Sequence, residues 1–113
     1  MYTYKIKLDR VIDGDTIDAN IDLGFNVSIK KRIRFVGINT PESRTRDLEE
    51  KARGLAAKDR LKVILEGANR IELCSYGVGK YGRCLGTLLI NDVDINKQLI
   101  NEGHAKEYFG GKR

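Results

Sequence analysis

Residues 26–38, NVSIKKRIRFVGI, alternate between apolar and polar or cationic side chains. Val27, Ile29, Ile33 and Phe35 share one face, while Ser28, Lys30, Arg32 and Arg34 share the other. A period of two predicts a strand with one side on a core and the other toward solvent or a ligand. Similar alternation recurs in residues 2–11 (YTYKIKLDRV) and 16–23 (TIDANIDL), on either side of an Asp13-Gly14-Asp15 turn. Gly24 begins the next turn. Residues 70–75 (RIELCS) and 83–90 (RCLGTLLI) read as two more strands, joined by the glycine-rich loop 76–82.

Two stretches break this rhythm. Ala57, Leu61, Ile64 and Leu65 recur at helical spacing and close near Gly67. The polar residues upstream, 44–53, read as a loop or an exposed first turn. Ile95, Leu99 and Ile100 mark a short helix stopped by Gly103, and Pro41 ends the third strand. The prediction is a mainly β fold: a small five-stranded barrel with one helix between strands 3 and 4 and a short helix after strand 5. Periodicity does not separate an OB-fold from other small barrels. With no repeat or internal boundary, residues 1–113 are expected to form one domain.

Charge narrows the function classes. The chain has 21 Lys and Arg against 16 Asp and Glu, a net charge of +5, which favours anionic partners, nucleic acid being the commonest. Its apolar runs fall far short of the roughly 20 residues needed to span a bilayer, so no membrane role is expected. The opening MYTYKIKLDR lacks the apolar core of a secretory leader. A cytoplasmic monomer is the default expectation, with secretion after removal of a leader as the alternative. Cys74 and Cys84 form neither a CxxC pair nor a disulfide framework, and reduced thiols buried in neighbouring strands are expected.

Against this basic background, residues 11–22 (VIDGDTIDANID) gather five acidic or amide side chains. Asp15 offers the hard oxygen that a divalent cation requires, although Asp13 and Asp15 taken alone favour a simple Asp-Gly turn. The segment is not an EF-hand loop: Asp18 stands where the turn glycine is needed, and the closing Glu is missing. His104, the only histidine, has no partner spacing for zinc or for a nucleophilic triad.

Three motifs in order, VIDGDT, RIRFVGINTPE and KYGRCLG, resemble the staphylococcal nuclease (thermonuclease) family from Val11 to about Tyr108. The resemblance implies a five-stranded OB-fold barrel and calcium-dependent hydrolysis of DNA and RNA with little sequence preference, leaving 3′-phosphate ends. Position by position, it implies that Asp15 is the principal Ca2+ ligand, Thr40 a ligand through its backbone carbonyl, and Asp13 an acidic neighbour behind the ligands. Glu42 matches the glutamate that activates or orients water, with Pro41 fixing its backbone. Arg34 and Arg83 match the arginines that clamp the phosphate, a bidentate geometry lysine cannot reproduce. Arg32, on the same strand face as Arg34, is its rival. Lys80 and Tyr81 match residues that contact a terminal phosphate, and Tyr108 or Phe109 would stack on a base. One position departs from the family: Asn39 stands where a second metal-binding aspartate is usual, so weaker metal affinity is expected. The alternative reading is a non-catalytic OB-fold module that binds nucleic acid or protein through a degenerate site.

Overall fold

The computed structural model describes residues 2–79 and 82–108. Five principal strands build the sheet: β1 (Tyr2–Asp13), β2 (Thr16–Gly24), β3 (Val27–Phe35), β5 (Ile71–Val78) and β6 (Cys84–Ile90). Three two-residue strands accompany them: β4 (Ile38–Asn39), β7 (Val93–Asp94) and β8 (Lys106–Glu107). The helices are α1 (Leu48–Glu66) and α2 (Ile95–Asn101). The five principal strands lie in the order β3-β2-β1-β5-β6, and a parallel β3–β6 pairing closes them into a barrel of the OB type.

β1 is long enough to serve two partners. Its first half pairs with β5 and its second with β2, with Ile6 shared between Ile71 and Ile21. Two register shifts, between Leu8 and Arg10 and between Val11 and Asp13, bend the strand as bulges do. The interior is filled by Ile17, Ile33, Phe35, Leu73 and Leu88 from the strands, Leu61 from α1, and Ile95 and Leu99 from α2, all under 2% exposed.

The alternation of residues 26–38 holds for only part of its length. Ile33 and Phe35 are buried, but Val27 and Ile29 are 51% and 38% exposed. β3 pairs with β6 only from Ile33 onward, so its first half belongs to a β2–β3 hairpin that reaches past the barrel. The turn of that hairpin falls on Phe25 and Asn26, both at positive φ (56° and 61°), rather than on Gly24 alone.

α1 starts earlier than the apolar spacing implies. Asp47 caps it, its carboxylate accepting from the backbone N–H groups of Glu49 and Glu50, and the first turn is solvent-facing with Leu48 79% exposed. The two cysteines lie on adjacent strands without facing each other, because Cys74 pairs with Thr87 and Cys84 with Val78. Both are free thiols. Cys84 is buried, but Cys74 is only half-buried, since it stands opposite the apolar parity of β5.

α2 is tied to the barrel closure by a buried amide. Asn96 is 3% exposed; its Nδ2 donates to the carbonyls of Val36 (2.8 Å) and Gly86 (3.3 Å), and its Oδ1 accepts from the Leu88 N–H (3.4 Å). Removing the amide strands buried backbone groups of both closing strands. Asn96→Ala is therefore expected to destabilise the fold by about 1–3 kcal/mol, read as a lower urea midpoint at unchanged slope.

Candidate nucleic-acid cleavage site

The site forms where the β1–β2 turn, the end of β3, the segment 39–44 and the start of β6 meet. Gly14 makes the first meeting possible. A Cβ on it would lie 2.7 Å from Ala57 Cβ of α1 and 3.0 Å from Thr40 Cγ2, so only glycine lets the turn sit between helix and loop. The turn therefore delivers Asp13 and Asp15 beside Thr40.

Asp15 is 5% exposed, and its carboxylate is well supplied with donors. Oδ1 accepts from Thr16 Oγ1 at 2.9 Å, Oδ2 accepts from the Thr40 N–H at 3.0 Å, and Arg34 Nη1 lies 3.3 Å from Oδ2. Its backbone carbonyl accepts from the Phe35 N–H at 2.8 Å. A buried carboxylate is costly unless paired and hydrogen-bonded, and here three elements satisfy that demand. Asp13 accepts from the hydroxyl of Ser43, which is itself buried.

Arg34 and Arg32 occupy the same strand face but serve different ends. Arg34 is held with 13% of its side chain exposed, donating from Nη1 to the Phe35 carbonyl (2.8 Å) and from Nη2 to Asn39 Oδ1 (3.4 Å). Arg32 instead donates to both carboxylate oxygens of Asp18 (2.9 and 3.3 Å), and Arg10 Nε donates to the same group at 3.1 Å. The Arg32 hydrogen bond is the main reason that the Asp18 carboxyl sits below its usual range; burial opposes it and Arg10 reinforces it. The rival arginine belongs to a separate ion-pair cluster, leaving Arg34 at the pocket.

A cavity of about 250 Å³ opens at this junction. Asp13, Asp15, Arg34, Thr40, Glu42 and Arg83 all border it, as do Thr16, Pro41 and Arg44. Arg83 arrives through barrel closure. Arg34 pairs with Leu85, and Arg83, two residues before Leu85, shares its side of the sheet; the Gly79 N–H also holds the Arg83 carbonyl at 2.8 Å. Glu42 is exposed at the rim, although the neighbouring Ser43 is buried. Three guanidiniums and three carboxylates thus border the cavity.

Not every expected residue borders it. Asn39 lines a neighbouring cleft beyond the 39–41 segment, and its Oδ1 accepts from Arg34 at the edge of the site. Tyr108 does not border the cavity; its N–H donates to the Gly37 carbonyl at 2.9 Å, next to the β4–β8 pair. Lys80, Tyr81 and Phe109 lie outside the described residues. Sequence reasoning missed Thr16, Ser43 and Arg44. Thr16 is signalled by its place directly after Asp15, whereas nothing local distinguishes Arg44 from its basic neighbours.

The donors around Asp15 fit a hard divalent cation in kind, because carboxylate, amide, hydroxyl and carbonyl oxygens are present without thiolate or imidazole. They are sparse in charge. Among the described residues, no group of three or more His, Cys, Asp or Glu is arranged to hold a metal ion.

Comparison with known proteins settles the lineage. The family model described as "Staphylococcal nuclease homologue" matches residues 32–113. The chain belongs to that family. It is 33% identical over 108 residues to the thermonuclease of Staphylococcus intermedius, across 95% of this chain and 60% of that protein. It is 32% identical over 114 residues to the endonuclease YhcR of Bacillus subtilis, across 94% of this chain and 9% of that protein. Protein ParB of Escherichia coli is 29% identical over 113 residues, 91% of this chain and 57% of its own length. The chain thus spans at most about three-fifths of the length of these relatives.

The Asp18 cluster yields a pH prediction. Its carboxyl is held below the unfolded value of about 4, so its stabilising contribution is present above that pH and is lost as pH falls through the folded value. Asp18→Asn should be less stable than the wild type at neutral pH, with the gap closing below about pH 4. Urea midpoints measured from pH 7 to pH 2 check this.

Proposed function

We propose that the chain is a calcium-dependent phosphodiesterase that cleaves DNA and RNA with little sequence preference and leaves 3′-phosphate ends. The observation that carries this reading is the convergence of Asp15, Arg34, Glu42 and Arg83, drawn from four separate segments, on one cavity of about 250 Å³. Membership of the nuclease family supplies the reaction class. The names of the two similar proteins, a thermonuclease and an endonuclease, agree with it.

Asp15, Asn39 and the Thr40 carbonyl are the residues that would hold calcium. When bound, the ion supplies positive charge to the phosphate oxygens and favours attack at phosphorus. The side chains do the remaining work. Glu42 at the rim takes a proton from a water aligned with the scissile bond, so that water oxygen bonds to phosphorus. The bond from phosphorus to the 5′ oxygen breaks, that oxygen takes a proton from solvent and leaves as an alcohol, and Glu42 returns its proton to solvent. Arg34 and Arg83 donate to the non-bridging oxygens, whose charge rises in the five-coordinate transition state. Three carboxylates and three guanidiniums leave the cavity walls formally neutral, so a phosphodiester enters without repulsion by a net negative wall.

Two measurements test the proposal. Denatured DNA incubated with the protein and calcium should be degraded, and a chelator should stop this. Glu42→Gln and Arg83→Ala should each lower kcat by roughly 10²–10³-fold while the thermal midpoint stays near the wild-type value. Intact DNA over a broad calcium range, with retained binding to single strands, would instead identify a binding module.

Asn39 gives a separate test. Restoring the charge in Asn39→Asp should lower the calcium concentration for half-maximal activity by about tenfold or more, because ligand charge tunes affinity for hard cations. Calcium titration by calorimetry reads the same change directly.

A further inference from the structure

Glu42 is exposed, and a flexible acid at a rim can align water only if its backbone is fixed. The structure fixes it from two sides. On one side α1 presents Gly54, which is buried; a Cβ there would lie 2.4 Å from the Glu42 carbonyl oxygen, 2.5 Å from its carbon and 2.7 Å from the Ser43 nitrogen. These are backbone atoms, which cannot swing aside as a side chain would, so the helix touches the 42–43 peptide directly. On the other side the buried Ser43 donates its hydroxyl to Asp13 in the β1–β2 turn. Ala57, three residues after Gly54, supports the same turn by contact with Gly14.

We propose that Gly54 and Ser43 are positioning residues that clamp the 42–43 peptide between α1 and Asp13 and thereby aim the Glu42 carboxylate into the cavity. The inference rests on the nuclease reading above. It also gives Asp13 a task apart from any cation, namely to anchor the loop that carries Glu42. Helix propensity alone favours alanine over glycine at an interior position such as 54. A glycine there is explained by the approach of the loop.

The test is a pair of double-mutant cycles. Gly54→Ala and Ser43→Ala are made in the wild type and in Glu42→Gln, and kcat, KM and the thermal midpoint are measured on single-stranded DNA with calcium. In the wild-type background each is expected to lower kcat by about 10- to 100-fold, with KM within about twofold, because a displacement near 1 Å costs rates of that order. In Glu42→Gln neither should lower kcat further, since a residue acting through Glu42 has nothing left to aim. Loss by the same factor in both backgrounds would mean general structural damage and would overturn the proposal. If Gly54→Ala does not fold, Ser43→Ala, which adds no atoms, decides alone. A wild type that digests DNA alongside a Ser43→Ala variant with unchanged kcat overturns the clamp only; a wild type that leaves DNA intact overturns the nuclease reading and this role with it.

Discussion

The parallel pairing of β3 with β6 is the constraint on which the site depends. Three residue pairs, Ile33 with Cys84, Arg34 with Leu85 and Phe35 with Gly86, turn an open sheet into a barrel. The same register brings together two arginines separated by 49 positions in the chain. So short a parallel contact needs support, and the surroundings provide it. The Val36 N–H donates to the Gly86 carbonyl at 2.9 Å, and Asn96 bridges both strands from α2. Gly86 lacks a side chain where one would meet Leu73 Cδ1 at 2.4 Å and the Cys74 carbonyl oxygen at 2.7 Å, so β5 and β6 stay close at the seam. Fold and site are joined here: the pairing that closes the barrel also brings Arg34 and Arg83 to the border of one cavity.

Asp15 is the second fixed point. Its buried carboxylate draws a hydroxyl from β2, an N–H from the segment after β4 and a guanidinium from β3. Each donor reduces the cost of burying the charge, and each also fixes a part of the pocket wall. The arrangement couples stability to geometry, since the bonds that make Asp15 tolerable in the interior are those that set Thr40 and Arg34 in place. Asp18 shows the contrast. It is also buried, yet its partners Arg10 and Arg32 are exposed and lie outside the lining of the Asp15 cavity.

Much of this was legible in the residues, and the failures have physical causes. The five long strands and both helices follow from periodicity, because each buries one face. Position 34 could be separated from the core by parity alone, but parity could not separate it from position 32. That distinction depends on Asp18, which only strand pairing brings opposite Arg32. Periodicity leaves residues 44–53 open between a loop and an exposed first turn because they are polar, although Asp47-Leu48-Glu49-Glu50 carries the acidic cap and following glutamate of a helix N-terminus. The short β4, β7 and β8 are set by tertiary pairing and leave no periodic trace over two residues each. Exposure of Val27 and Ile29 was hidden for a related reason: alternation reports that a strand has two faces, not how far the barrel extends along it.

Asn39 shows how one neutral side chain alters the balance of the site. Its Oδ1 accepts from Arg34 Nη2 at 3.4 Å, while Arg34 Nη1 stands 3.3 Å from Asp15. The guanidinium therefore spans two groups that the family resemblance assigns to a cation, and only one of them is charged. An aspartate at 39 would hold Arg34 from both sides by charge and would add a further negative charge beside the carboxylates of Asp13, Asp15 and Glu42. On the proposed nuclease reading, asparagine would give the site less attraction for a divalent ion and would also oppose an incoming phosphate less. Cation affinity would be exchanged for a weaker barrier to the anion, which suits a site whose arginines carry a larger share of phosphate binding than its metal ligands do.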